Sequence, residues 1–220
     1  MGEALEHSGR PMVYSLCQYG LTDVWTWGTK VGGNLWRTTG DIRDTWDSMD
    51  KIGFSQIAIS SYTRPGHWND PDMLEIGNGG MNADEYRTHM SLWSMLAAPL
   101  IAGNDLRTMS DETKSILMNK EVIAIDQDPL GKQGKRAYSD GEVEVWTREL
   151  QGGALAIAVI NVGSDRNSTH PFHLDLGKLG LQGPETGKDL WTGKEVTLTD
   201  KMPIELPSHD ILLVRVNQPK

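Results

Sequence analysis

The chain changes texture at Asp128-Pro129-Leu130-Gly131, and this change constrains the fold more than any other feature. Before it, short apolar runs alternate with segments of helical period. After it, Glu142-Val143-Glu144-Val145-Trp146 and Phe172-His173-Leu174-Asp175-Leu176 alternate strictly. Side chains recur on one face every 3.6 residues in a helix but every two in a strand, so the two parts are built from different elements. Repeated βα units predict a parallel sheet, doubly wound or closed as a barrel. The alternating runs, with Ala154 to Val162 and Ile211 to Val216 as more deeply buried strands and Gly-rich turns between them, predict an antiparallel sandwich-like domain. The expected fold class is therefore α/β followed by all-β, with the boundary after residue 128.

Within the first part, strands are expected near Met12, Asn34, Asp72 and Leu100, and the N-terminal residues resemble the end of a helix. Helices are expected over Thr22 to Val31, Asp41 to Ile52 and Asn82 to Ala98, and from Ser110-Asp111-Glu112 onward. The clearest is Asn82 to Ala98, where Asn82 and Glu85 have capping-box spacing and Tyr86, Met90, Trp93 and Ala97 follow the helical period.

Composition excludes several classes of function. A formal charge of −9 and a pI near 5.1 disfavour nucleic acid, whose phosphates demand a basic surface. The single cysteine, Cys17, allows no internal disulfide, and the six His are scattered without metal-ligand spacing, so neither a metal nor another cofactor is expected. No run of about 18 apolar residues suits a membrane span. No secretion signal is visible at the N-terminus, and the compartment is left open. Asn167-Ser168-Thr169 fits a glycosylation sequon, a triplet common by chance.

Two segments carry chemistry: Trp36-Arg37-Thr38-Thr39-Gly40-Asp41-Ile42 and Trp68-Asn69-Asp70-Pro71-Asp72-Met73-Leu74. Each places an acid just past a strand-like run, among Trp, Gly and amides. Carboxyls move protons, aromatic faces cover sugar rings, and amides sort hydroxyls. Bland readings stand beside these. Asp41 suits a helix N-cap, Arg37 a structural ion pair, and Asn69-Asp70-Pro71-Asp72 a turn. Trp36 and Trp68 suit a site lining or the packing beneath it equally.

These segments, with Tyr14-Ser15-Leu16-Cys17-Gln18, Ala98-Pro99-Leu100, Gly103-Asn104-Asp105-Leu106-Arg107 and Val122-Ile123-Ala124-Ile125-Asp126-Gln127-Asp128, resemble glycoside hydrolase family 27, the α-galactosidases (melibiases) and α-N-acetylgalactosaminidases. The resemblance runs nearly end to end. It implies a (β/α)8 barrel followed by an antiparallel β-sandwich. Such a barrel takes ~250 residues, so residues 1–128 are expected to supply the C-terminal half, about its last four βα units, and residues 129–220 the β domain.

The resemblance also implies roles. Asp41 matches the acid/base of a retaining glycosidase. Arg37 and Asp72 match residues that bind sugar hydroxyls, and Met73 one that lies beside the ring. Gln18 matches a position that reads the substituent at carbon 2, where Gln leans towards a free hydroxyl and so towards galactose. Asp70 is expected to shape the loop, and Asp105, Asp126 and Asp128 to be structural. The family's nucleophile, the Asp of a Lys-Tyr-Asp-type motif, has no match here, so a missing N-terminal half-barrel is expected to carry it. Cys17 is either half of a bridge to that region or a buried free thiol. The expected partner is an α-galactoside oligosaccharide or glycoconjugate, with no nucleic acid and no membrane. The alternatives are a non-catalytic sugar-binding or assembly half-module, and an α-N-acetylgalactosaminidase or β-L-arabinopyranosidase of the same family.

Overall fold

In the computed structural model, which describes residues 1–164 and 170–217, an α/β domain is followed by an antiparallel β domain. The Asn167-Ser168-Thr169 triplet lies outside the described residues. A short helix α1 (Gly2–Glu6) leads to the parallel strands β1 (Ser15–Leu16), β2 (Leu35–Arg37) and β3 (Trp68–Asp70), in the order β1-β2-β3. A single parallel bridge, Leu74 to Ala102, adds a fourth position beyond β3. The third strand thus lies earlier than the position expected near Asp72. Pro71 has no N–H to donate and Asp72 turns out of the extended region at φ 103°, so the ladder stops at Asp70.

Two helices also differ from expectation. Thr22 to Val31 forms two 3₁₀ segments, Leu21–Thr26 and Gly28–Val31, because Thr22 and Asp23 take positive φ and break any α-helical run. The second helix, α2 (Trp46–Ser55), starts five residues later than expected and is capped by Thr45, whose hydroxyl accepts from the Ser48 amide. Asp41 is therefore not a helix cap.

The helix α3 (Ala83–Leu96) has the expected capping box, with Asn82 accepting from the Asp84 and Glu85 amides and Glu85 reaching back to the Asn82 amide. Two short helices follow, α4 (Asp111–Leu117), capped by Ser110, and α5 (Lys120–Asp126), capped by Asn119. Every residue of α3 from Thr88 to Leu96 is buried. Polar residues on its back meet the β domain rather than water: Thr88 donates to the His209 carbonyl, and Ser91 accepts from the Trp191 indole.

The β domain has a six-stranded antiparallel sheet of β4 (Lys135–Ser139), β5 (Val143–Glu149), β6 (Leu155–Asn161), β8 (Glu185–Asp189), β9 (Glu195–Leu198) and β11 (Ile211–Val216), in the order β4-β5-β6-β11-β8-β9. A second sheet pairs β7 (His170–His173) with β10 (Pro203–Leu206). One face of the large sheet (Val143, Val145, Ile157, Val159, Val214, Val216) packs on Phe172, Leu174 and Ile204. The other face (Trp146, Ala156, Ala158, Ile160, Leu213) joins the core of α3 and α5. The period-two pattern therefore separates two buried faces, not core from solvent. The buried Arg148 of β5 donates to the carbonyls of Ser94 and Asp126, near the C-termini of α3 and α5. His209 lies 3.8 Å from the Trp46 ring at 7° and bonds Glu85 at 2.7 Å.

Candidate active site

Parallel strands end on one side of their sheet, so residues just past their carboxyl ends converge there. Arg37 ends β2 and Asp70 ends β3, with Asp41 and Asp72 in the loops that follow. The Arg37 guanidinium joins them. Its Nη2 lies 2.6 Å from Asp72 Oδ2 and 3.1 Å from Asp41 Oδ1. Exposure separates the partners. The side chains of Arg37 and Asp72 are 12% and 10% exposed, that of Asp41 73%. Arg37 is thus a buried ion pair on one side and a support for a solvent-facing carboxyl on the other. Its Nε is buried with no hydrogen-bond partner among the described residues.

Asp72 is held from every direction. Its Oδ2 also accepts from the Ile42 amide at 2.8 Å, and its Oδ1 from the Met73 amide at 2.8 Å. Asp70 accepts from the Asp72 amide at 2.9 Å, and the Trp93 indole donates to the Asp72 carbonyl at 2.8 Å. These contacts maintain a φ that is unfavourable for a residue with a Cβ, a form of local strain that clusters at functional sites. Asp70 has the shaping geometry expected of it. Burial raises its carboxyl's pKa, against the Asp72 amide and the Arg37 charge, which lower it.

Met73 is exposed beside Asp72. Gln18 is exposed in the loop after β1, which folds over the end of β2. The Gly20 amide donates to the Arg37 carbonyl at 3.0 Å, and Arg37 Cζ lies 5.8 Å from the centre of the Tyr19 ring. Gly20 has φ 75°, and a Cβ there would lie 2.0 Å from the Thr38 carbonyl oxygen, so the approach needs glycine.

Of the two tryptophans, Trp36 packs beneath the sheet and Trp68 lines a cavity away from the carboxylates. Trp36 is fully buried on the sheet's other face, its indole donating to Asn69 at 2.9 Å. Trp68 lines a cavity of about 450 Å³ with Leu35, Pro65 and Leu100, at the amino ends of the strands. Cys17 is an exposed free thiol, which removes the buried-thiol reading. Asp105 pairs with Arg107, and Asp128 caps the Leu130 and Gln151 amides.

Sequence reasoning missed Asp44, Tyr86, His89 and Trp93, which brace the two loops from behind. Tyr86 and Trp93 were legible only as core positions of α3. Their polar tips at helical spacing were the available signal. Among the described residues, no group of three His, Cys, Asp or Glu is placed to hold a metal ion, and no helix is long and apolar enough to cross a membrane.

Fold and site together define a class: an α/β domain with carboxylates gathered at the carboxyl ends of parallel strands, joined to an antiparallel β-sandwich. Residues 1–128 match the family model described as alpha galactosidase A, and residues 140–216 that of the alpha galactosidase C-terminal beta sandwich domain. The chain belongs to the α-galactosidase (melibiase) family. It is 44% identical over 212 residues to an α-galactosidase of Cyamopsis tetragonoloba, covering 95% of this chain and 51% of that one. It superimposes on α-galactosidase I of Mortierella vinacea with a TM-score of 0.92 and 31% identity, covering 98% of this chain and 61% of that one. A family-27 β-L-arabinopyranosidase of Geobacillus stearothermophilus gives a TM-score of 0.87 at 29% identity, covering 98% and 52% respectively. The chain spans about half the length of the curated relatives it matches.

Proposed function

We propose that these residues are the proton-transfer and sugar-gripping part of a retaining α-galactosidase, acting on terminal α-galactosyl groups of oligosaccharides or glycoconjugates. The observation that carries this is the shared guanidinium: Arg37 holds a buried Asp72 and an exposed Asp41 at once. Asp41 is the general acid for the leaving oxygen and then the base that activates water. Arg37, Asp72, Met73 and Gln18 line the sugar, with Gln18 facing the carbon-2 hydroxyl. Asp72 is tied to two backbone amides and to Arg37, and Asp70 is buried and tied to the Asp72 amide, so neither is free to attack the sugar.

In this reading residues 1–128 are about the last four βα units of a (β/α)8 barrel and residues 129–220 its β domain. The nucleophile belongs to a complementary half-barrel. The sheet's rims support this: Val13, Tyr19 and Leu21 are exposed near β1, and Ile101 and Leu106 near the Leu74–Ala102 bridge. Retention needs a second carboxylate ~5 Å from the acid/base, so the 220 residues alone should not turn over.

The test compares the lone chain with a completed enzyme, in which the N-terminal half-barrel of the Cyamopsis tetragonoloba enzyme is fused ahead of residue 1. The panel holds nitrophenyl α-galactoside, α-N-acetylgalactosaminide and β-L-arabinopyranoside. Activity is expected only on completion, with preference for the galactoside, and Asp41→Asn should abolish turnover of a natural disaccharide. Robust hydrolysis by the lone chain, or near-normal disaccharide turnover by Asp41→Asn, would overturn the reading.

A further inference from the structure

Among the described residues, the Asp41 carboxylate contacts the Arg37 side chain alone and stands largely in solvent. Its placement therefore depends on how residues 38–45, which form no helix or strand, are anchored on either side. Upstream, the Thr38 amide donates to the Asp70 carbonyl at 3.0 Å. Downstream, Asp44 reaches the glycine-rich loop that follows Asp72. Its Oδ2 accepts from the Gly80 amide at 2.5 Å and from the Tyr86 hydroxyl at 2.9 Å. Tyr86 in turn accepts from the Gly79 amide at 2.7 Å. The contact extends to the backbone, since a Cβ on Gly80 would lie 2.0 Å from the Asp44 carbonyl oxygen. Burial raises the Tyr86 phenol's pKa, so the hydroxyl stays a donor to Asp44.

Tyr86 is one of three side chains on a single face of α3, at i, i+3 and i+7. Trp93 donates to the Asp72 carbonyl, the His89 ring accepts from the Glu75 amide at 3.1 Å, and Tyr86 holds Gly79. The helix thus fixes the loop after β3 at three successive points. Through Tyr86 and Asp44 it also fixes the loop after β2.

We propose that Asp44 and Tyr86 are positioning residues for proton transfer: they clamp the loop bearing Asp41 to the face of α3 and so set where the acid meets the leaving oxygen. This rests on the assignment of Asp41 as acid/base. A displaced acid costs rate only where the leaving group needs its proton. In the completed enzyme, Asp44→Asn and Tyr86→Phe should each lower kcat/KM, which reports the step in which the leaving group departs, roughly 10- to 100-fold on an alkyl or unsubstituted phenyl α-galactoside. Their loss of kcat/KM on a dinitrophenyl α-galactoside should stay below about threefold, because that group departs unprotonated, whereas kcat on that substrate falls with the slowed attack of water, for which Asp41 is the base. The double variant should be no worse than the poorer single one, because both act on one clamp.

Asp41→Asn is run in parallel. If it shows no dependence on leaving group, the assignment of Asp41 fails. If Asp41→Asn shows that dependence in kcat/KM and the two clamp variants lose kcat/KM equally on both substrates, or lose only thermal stability, this proposal fails. A second measurement uses the 220-residue chain itself. In Tyr86→Phe, amide exchange over residues 40–44 and 77–81 should rise together by about tenfold or more with α3 unchanged. Unchanged exchange over 40–44 overturns the clamp whatever the kinetics show.

Discussion

Replacing Asp72 with Asn tests whether the buried half of the Arg37 junction anchors the loop after β3. The change preserves side-chain volume, and Asn tolerates positive φ better than most residues, so the backbone at φ 103° is not further strained. The hydrogen bonding is not preserved. Oδ2 accepts from Arg37 Nη2 at 2.6 Å and the Ile42 amide at 2.8 Å, while Oδ1 accepts from the Met73 amide at 2.8 Å. An amide has one oxygen, so either flip turns an NH₂ donor towards another donor. A hydrogen bond to a charged group contributes about 1.5–3 kcal/mol, and removing one partner of a buried ion pair costs about 3–5 kcal/mol. Asp41 and Asp70 remain near the guanidinium and share its charge, which puts the expected loss near the low end, about 3 kcal/mol. At ~2–4 °C per kcal/mol for a chain of this size, Tm should fall by roughly 6–12 °C. Asp41→Asn is the internal control. Its carboxyl is 73% exposed, and an exposed pair contributes about 0–1 kcal/mol. Urea denaturation followed by Trp fluorescence would measure both. An Asp72→Asn loss within about 0.5 kcal/mol of the Asp41→Asn loss would refute the argument that Asp72 anchors the loop.

Two further predictions concern the join between the domains. Burial pushes the Asp126 carboxyl up to about 7, against the Gln127 hydrogen bond and the Arg148 charge, and its Oδ1 has no partner among the described residues. Between an unfolded value near 4 and the folded value, the folded state holds the proton that the unfolded state has released, so its stability falls as pH rises. Asp126→Asn should therefore be nearly neutral at pH ~4 and stabilising by up to about 4 kcal/mol at pH 8, relative to the unmodified chain. Denaturation curves at the two pH values that give the same difference would refute it. Arg148→Met leaves the Ser94 and Asp126 carbonyls without their charged donor in a buried place, and should cost about 2–4 kcal/mol. A chemical-denaturation loss below about 0.5 kcal/mol would show that the helix ends are satisfied without it.

What the sequence determined by itself is what depends on near neighbours along the chain. Asn82 and Glu85 are three residues apart, so the cap of α3 forms wherever the helix lies. Pro71 ends a ladder by lacking a donor. The alternation from Val143 onward separates the two faces of a strand, and the two motif segments carry the family. The tertiary structure decided which face meets what. Trp36 and Arg37 are adjacent in sequence, yet one is buried against Asn69 and the other reaches the cluster, because successive side chains of a strand point to opposite faces. Glu144 and Arg148 read as the polar side of a strand, but that side lies against α3 and α5, where each is buried and hydrogen-bonded. Asp41 and Asp72 are equivalent as letters, each an acid past a strand. One is open to water and the other closed, because only Asp72 lies beneath Ile42, beside Arg37 and over the Trp93 indole. Those contacts join residues from 21 to 35 positions apart, and a separation of that size becomes a distance only when the sheet and α3 pack.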